Sequence, residues 1–278
     1  TLHLIGDNKA PVTDYKRTLD IDSSLVHIDY TQSGVRYHRE YFATFPDRLI
    51  AIRLTADKPA SINAKVMLTA LVPHNVKASD KQLTMIGHAM GDELETIHSC
   101  TVLLLNNDGG TVSGADSTLT VSGANAVTIY LVNETSFGGA RAKPITTGSD
   151  YIEKATDEAW HTKNVTYKMI RDRHVSDYQR FYDRVKFRLG YQQCDNTKPT
   201  DKLLKEYTAR TEKALGNEGA AATNGQTPSN ALSSISGPED ADDDALETLY
   251  FQYGRYLLIS SSRYQNSPVM LQGLWSPY

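Results

Sequence analysis

The chain has 278 residues, enough to bury a sizeable core in one large or two ordinary domains. Its formal charge of −4 gives no basic footprint, which argues against nucleic acid as a main partner. No apolar run approaches the ~18 residues of a membrane span, and Cys100 and Cys194 stand far apart outside any C-x-x-C arrangement, so two inert thiols are expected.

Residues 24–72 read as strands joined by tight turns. Val26, Ile28 and Tyr30 alternate with His27 and Asp29, Gln32-Ser33-Gly34 supplies a turn, and Val35, Tyr37, Arg39 and Tyr41 resume the alternation, which predicts a hairpin. After Pro46-Asp47, residues 49–54 form a more continuous apolar strand. Ile62, Ala64, Val66, Leu68, Ala70 and Val72 then alternate with polar or small neighbours. Further strands are predicted at 82–86, 94–105, 118–121 and 126–132, punctuated by Asn107-Asp108-Gly109-Gly110 and Ser122-Gly123. Short strands at regular spacing predict a large antiparallel sandwich over residues 1–150.

From residue 150 the period changes to that of a helix. Residues 151–163 and the stripe Ile170, His174, Tyr178, Phe181 and Val185 predict a helical linker over 151–190. His174 lies on that stripe, where a lone histidine is expected to be a hydrogen-bonded core residue. No His-x-x-x-His spacing or carboxylate pairing accompanies the other histidines, so no metal and no cofactor are expected.

Residues 191–240 read as a variable insertion. A short helix is expected at 200–215, ended by Gly216-Asn217, before an Ala-, Asn-, Gly-, Ser- and Pro-rich stretch that cannot offset its ordering entropy. The acidic cluster Glu239 to Asp244 is expected to form a solvated cap, with Asp242, Asp243 and Asp244 at the start of the next helix and Glu247 in capping-box spacing to Asp244. The helix that follows carries Leu246, Leu249, Tyr250, Tyr253 and Leu257 on one face, with Phe251, Leu258 and Ile259 off it. Apolar over so wide an arc, it is expected to be buried between neighbours that this sequence does not supply.

The string LETLYFQYGRYLLISSSR at 246–263, followed by Leu271-Gln-Gly-Leu-Trp275, resembles the start of the catalytic barrel of glycoside hydrolase family 95, the inverting α-L-fucosidases. Tyr15-Lys-Arg-Thr-Leu-Asp20, residues 37–42, Arg53-Leu-Thr-Ala-Asp57, residues 177–184 and Pro199-Thr-Asp201 resemble its sandwich and connector segments, in the same order. The resemblance implies a multidomain β-then-α chain: an antiparallel β-sandwich incomplete at its N-terminus, a helical linker, and at 241–278 the first helix of a six-hairpin α/α barrel. It implies hydrolysis of terminal α-L-fucosyl linkages on a fucosylated oligosaccharide or glycan by a secreted or periplasmic enzyme, with no membrane partner.

The family's acid, a glutamic acid, and its base, an asparagine polarised by an aspartate, are expected beyond Tyr278, so no catalytic residue is assigned here and the fragment alone is expected to be inactive. Gln272 and Trp275 are the candidate substrate-binding residues, since an amide offers donors and acceptors and an indole offers a flat face to a sugar. The competing expectation is that Trp275 packs in the barrel and Gln272 satisfies buried backbone. Met270 and Ser276-Pro277 depart from the family's pattern. A non-catalytic carbohydrate-binding or structural module, and a related L-galactosidase or phosphorylase on the same scaffold, are the alternatives.

Overall fold

The computed structural model describes residues 1–139, 141–146, 148–190, 198–222 and 238–263. They fall into two compact units, Thr1–Gln179 and Arg180–Tyr278. The first unit carries twelve strands and two helices. The strands are β1 (Leu2–Gly6), β2 (Val12–Asp20), β3 (Leu25–Gln32), β4 (Val35–Thr44), β5 (Leu49–Ala56), β6 (Ile62–Leu68), β7 (His74–Ser79), β8 (Gln82–His88), β9 (His98–Asp108), β10 (Thr111–Ala115), β11 (Thr118–Ala124) and β12 (Ala126–Thr135). Helix α1 (Tyr151–His161) runs into a 3-10 turn, and α2 (Tyr167–Tyr182) crosses into the second unit.

Two antiparallel sheets face each other. The smaller has the order β1-β6-β11-β10 and the larger β2-β3-β4-β5-β12-β9-β8-β7. Ser33 and Gly34, both at positive φ, close the predicted β3–β4 hairpin as a two-residue turn whose twist matches that of the strands. The alternation of β6 delivers Ile62, Ala64, Val66 and Leu68 to the interior while its other face stays wetter. Ile62, Val66 and Leu68 join Leu119 and Val121 of the small sheet and Ile52, Leu54, Leu83, Leu103, Leu105, Val127 and Ile129 of the large one in a single apolar cluster.

The opposite face of the large sheet is apolar as well. Phe42, Leu49, Ala51, Cys100, Val102, Leu104, Tyr130 and Val132 pack with Ala155 and Ala159 of α1 and Ile170 of α2. Strands β5, β9 and β12 are thus buried on both faces, which is why 102–105 reads Val-Leu-Leu-Leu without alternation. The helices are pinned at their edges by polar contacts. Tyr178 donates to the Ile21 carbonyl at 2.7 Å, and His174 Nε2 donates to Ser24 at 3.1 Å while its ring stacks on Phe42, the core role expected of it. Arg48, in the β4–β5 turn, bridges Glu134 of β12 and Glu158 of α1 at 2.9 Å each.

Several expectations are corrected. The alternation at 62–72 outruns its strand: β6 ends at Leu68, Thr69 turns its amide to the Thr1 carbonyl, and Leu71 is fully exposed. The strand expected at 94–105 begins only at His98, because Asp92 takes the Leu94 and Glu95 amides into a local turn. Strands β1, β2, β7 and β10, absent from the pattern-based reading, are the four sheet edges.

Ile170 is almost wholly buried under the large sheet, so Ile170→Ala is expected to cost about 2–5 kcal/mol in urea unfolding of this chain. Cys100 is fully buried and burial pushes its thiol up to about 11. Peptide mapping after thiol labelling should find Cys100 unmodified in the native protein and modified once the protein is unfolded.

Candidate functional site

The second unit contains α3 (Thr200–Ala222) and α4 (Pro238–Ser261). Helix α3 does not stop at Gly216-Asn217 but continues to Ala222, since the Ala-rich residues beyond them favour helix enough to absorb a glycine. Helix α4 starts at Pro238, whose fixed φ suits a first turn, and not at Asp244. The acidic run is therefore inside the helix and is not a solvated cap: Asp242 pairs with Lys198 at 2.7 Å and Asp243 with Arg210. Gly190, at φ +70°, lies so close to Asp244 that a Cβ there would stand 2.1 Å from its Oδ2.

One face of α4 grips the chain at 182–189. Thr248 Oγ1 accepts from the Leu189 amide at 3.0 Å, Gln252 donates to the Phe187 carbonyl at 3.2 Å, and Arg255 donates to the carbonyls of Tyr182 at 2.7 Å and Val185 at 3.0 Å. Positions 248, 252 and 255 are one helical stripe. Of the stripe expected to be buried, Tyr250 is 82% exposed and Tyr253 is exposed too, whereas Leu246, Leu249 and Leu257 are half-buried, and no α4 side chain among the described residues is buried. Gln272 and Trp275, the candidate sugar contacts, lie outside the described residues, as do Met270 and Ser276-Pro277.

In the first unit two polar clusters stand out. The first is on the β3–β4 hairpin, where the register sets His27 opposite Glu40 and Asp29 opposite His38 on one sheet face. Glu40 is buried. Its Oε1 accepts from Arg171 Nε at 2.8 Å and from the Tyr167 hydroxyl, both on α2. Burial alone would raise its pKa, but the hydrogen bonds from Arg171 and Tyr167 outweigh it and hold the carboxyl below the usual range. Burial and the facing carboxylate push the Tyr167 phenol far up. His27, His38 and Glu40 each place one ligand-type atom within 4.8 Å of the others, so spacing along the chain concealed a grouping that cross-strand pairing creates.

The second cluster lines a groove of about 450 Å³ along β7, β8 and the start of β9, with His74, Lys77, Thr84, His88, Glu93 and His98 among its walls. The His88 and His98 rings stack at 5.4 Å, and His98 Nε2 donates to the Glu93 carbonyl at 2.7 Å. The remaining shielded carboxyls are structural. Glu134 and Glu158 share Arg48, and Asp47 is held by Arg173. Burial raises the Glu158 carboxyl, and Glu134 beside it adds to this against the opposing charge of Arg48.

Comparison with known proteins spans both units. Residues 1–140 match the family described as "Glycosyl hydrolase family 65, N-terminal domain", and residues 166–278 match "Glycosyl hydrolase family 95 catalytic domain". "Alpha-L-fucosidase 2" of Arabidopsis thaliana is 24% identical over 284 residues, covering 94% of this chain and 30% of the relative. "Probable alpha-fucosidase A" of Aspergillus niger is 25% identical over 276 residues, covering 95% of this chain and 30% of its own length. Its namesake from Aspergillus oryzae is 23% identical over 295 residues, covering all of this chain and 35% of the relative. The chain thus spans about a third of the length of these curated relatives. Through residues 1–140 the chain belongs to the glycosyl hydrolase family 65 N-terminal domain family, and over residues 166–278 it is similar to the glycosyl hydrolase family 95 catalytic domain.

Proposed function

We propose that this chain is the sandwich and the opening catalytic-domain helix of a glycoside hydrolase that, as a whole protein, removes terminal α-L-fucosyl residues from glycans with inversion. The observation that carries the reading is the continuous alignment of 94% or more of the chain, across both units, with three proteins named as α-fucosidases. On this reading the acid and base of that reaction belong to parts of the whole enzyme outside these 278 residues.

The described geometry supports this division of labour. An inverting glycosidase needs a carboxylic acid and a base roughly 6.5–9.5 Å apart across a sugar, with room for a water. Glu40, Asp47, Glu134 and Glu158, the shielded carboxyls of the first unit, are each held by an arginine and tie helices or turns to the large sheet. The exposed Tyr250, Phe251, Tyr253 and Leu258 of α4 suit a helix whose further neighbours belong to the rest of a helical barrel, and the segment carrying Gln272 and Trp275 follows that helix.

A carbohydrate-binding module is the second reading, and the groove beside β7 and β8 is the feature that favours it. Its histidine, lysine, threonine and glutamate side chains can exchange hydrogen bonds with hydroxyls, but Pro73 and Ile86 supply its apolar wall where sugar platforms use aromatic faces.

This 278-residue chain is expected to release no fucose from an aryl α-L-fucoside, whereas a protein extended to the length of its relatives should release it, with β-L-fucose as the first-formed anomer by NMR. Turnover by the short chain would overturn the placement of the acid and base. α-L-Fucose as the first anomer would overturn inversion. Calorimetric titration of the short chain with fucosylated oligosaccharides should show no saturable binding, and micromolar binding abolished by His88→Ala would favour the module reading instead.

A further inference from the structure

The β3–β4 hairpin holds a donor set that its core-packing role does not account for. Folding about Ser33-Gly34 puts His27 and Asp29 of β3 on the same sheet face as His38 and Glu40 of β4. The two imidazoles lie side by side, with ring centroids 5.5 Å apart and planes inclined by 29°. His27 Nδ1 is buried and has no hydrogen-bond partner, and it stands 3.5 Å from Glu40 Oε2. That separation is longer than an ordinary N–H···O bond. It is the roughly 3.3–3.6 Å expected between two ligands that each stand ~2.0–2.2 Å from a tetrahedral ion.

We propose that His27, His38 and Glu40 form a zinc-type transition-metal site on the sandwich, with its fourth position open to solvent. Two of the three ligands are already oriented by a neighbour. Asp29 Oδ1 lies 2.8 Å from His38 Nδ1, which fixes the proton there and leaves Nε2 to the metal, the carboxylate–histidine–metal arrangement. Arg171 and Tyr167 hold Glu40 by Oε1, so that Oε2 is the oxygen on the side of His27. One ligand-type atom of each residue lies within 4.8 Å of the others, and His38, whose side chain is 41% exposed, provides the entry path. Two imidazoles and one carboxylate suit zinc, with cobalt(II) as its spectroscopic stand-in. The sequence-based expectation of no metal followed from chain spacing alone, and the site arises from register. It does not depend on the fucosidase reading.

The test is titration of the chelator-treated 278-residue chain with Co2+. One equivalent should bind and develop the strong visible bands of a tetrahedral ion, and Zn2+ should displace it. His38→Ala should abolish those bands while leaving the far-UV spectrum and the melting temperature of the metal-free protein unchanged, since His38 is half-exposed. Asp29→Asn, which removes no ligand, should weaken binding roughly 10–100-fold. Absence of a saturable tetrahedral cobalt spectrum in the parent chain, or a spectrum and affinity unchanged in His38→Ala and Asp29→Asn alike, would overturn the site.

Discussion

Burial of the large sheet on both faces is the constraint on which the first unit rests. Strands β5, β12 and β9 present one set of side chains to the small sheet and the alternate set to α1 and α2, so neither face can be left to water. Each fully buried aliphatic side chain contributes about 1.5–3 kcal/mol, and the outer face offers Val102, Leu104 and Val132 among others, so the helices are as much a part of the fold as the second sheet. Their packing explains why the compact unit extends to Gln179, well past the last strand. It also bears on function, because the broad central face of the sheet, where a flat binding platform would be sought, is covered by the chain's own helices.

Polar contacts settle where those helices lie. Apolar packing is non-directional, and the register of α1 and α2 on the sheet is set by a small number of buried or half-buried charges. Arg48 reaches both Glu134 and Glu158, Asp47 meets Arg173, and Glu40 takes Arg171 and Tyr167 on a single oxygen. These carboxylates resemble catalytic candidates in a bare sequence. Their partners make them anchors, and one of them, Glu40, retains a second oxygen that points along the hairpin to His27.

How much could be read from the residues depended on where each strand sits. Strands in the sheet interiors, such as β4, β6 and β12, declare themselves by alternation or by continuous apolar runs. The edge strands do not: β2 is exposed along most of its length, and β7 and β10 have few shielded positions, so no hydrophobic period marks them. On α4 periodicity marked the apolar stripe, of which Leu246, Leu249 and Leu257 are half-buried and Tyr250 and Tyr253 exposed. The segment at 182–189 meets α4 through Phe251 and also through Thr248, Gln252 and Arg255, polar residues that no hydrophobic pattern marks. The histidine cluster was legible in principle, because placing the turn at Ser33-Gly34 pairs His27 with Glu40 and Asp29 with His38. Reading spacings within one segment, and not across the hairpin, hid it.

The account stands on α1, α2 and the large sheet folding as one body. Native-state hydrogen exchange measures this directly, residue by residue. Buried-face amides of α1 and α2, near Ala155, Ala159 and Ile170, should open with the same free energy as those of β9 and β12 and share their denaturant dependence. Helix amides that exchange at much lower free energies, while β9 and β12 keep the global value, would show that the sheet's outer face does not require its cover and would contradict the account.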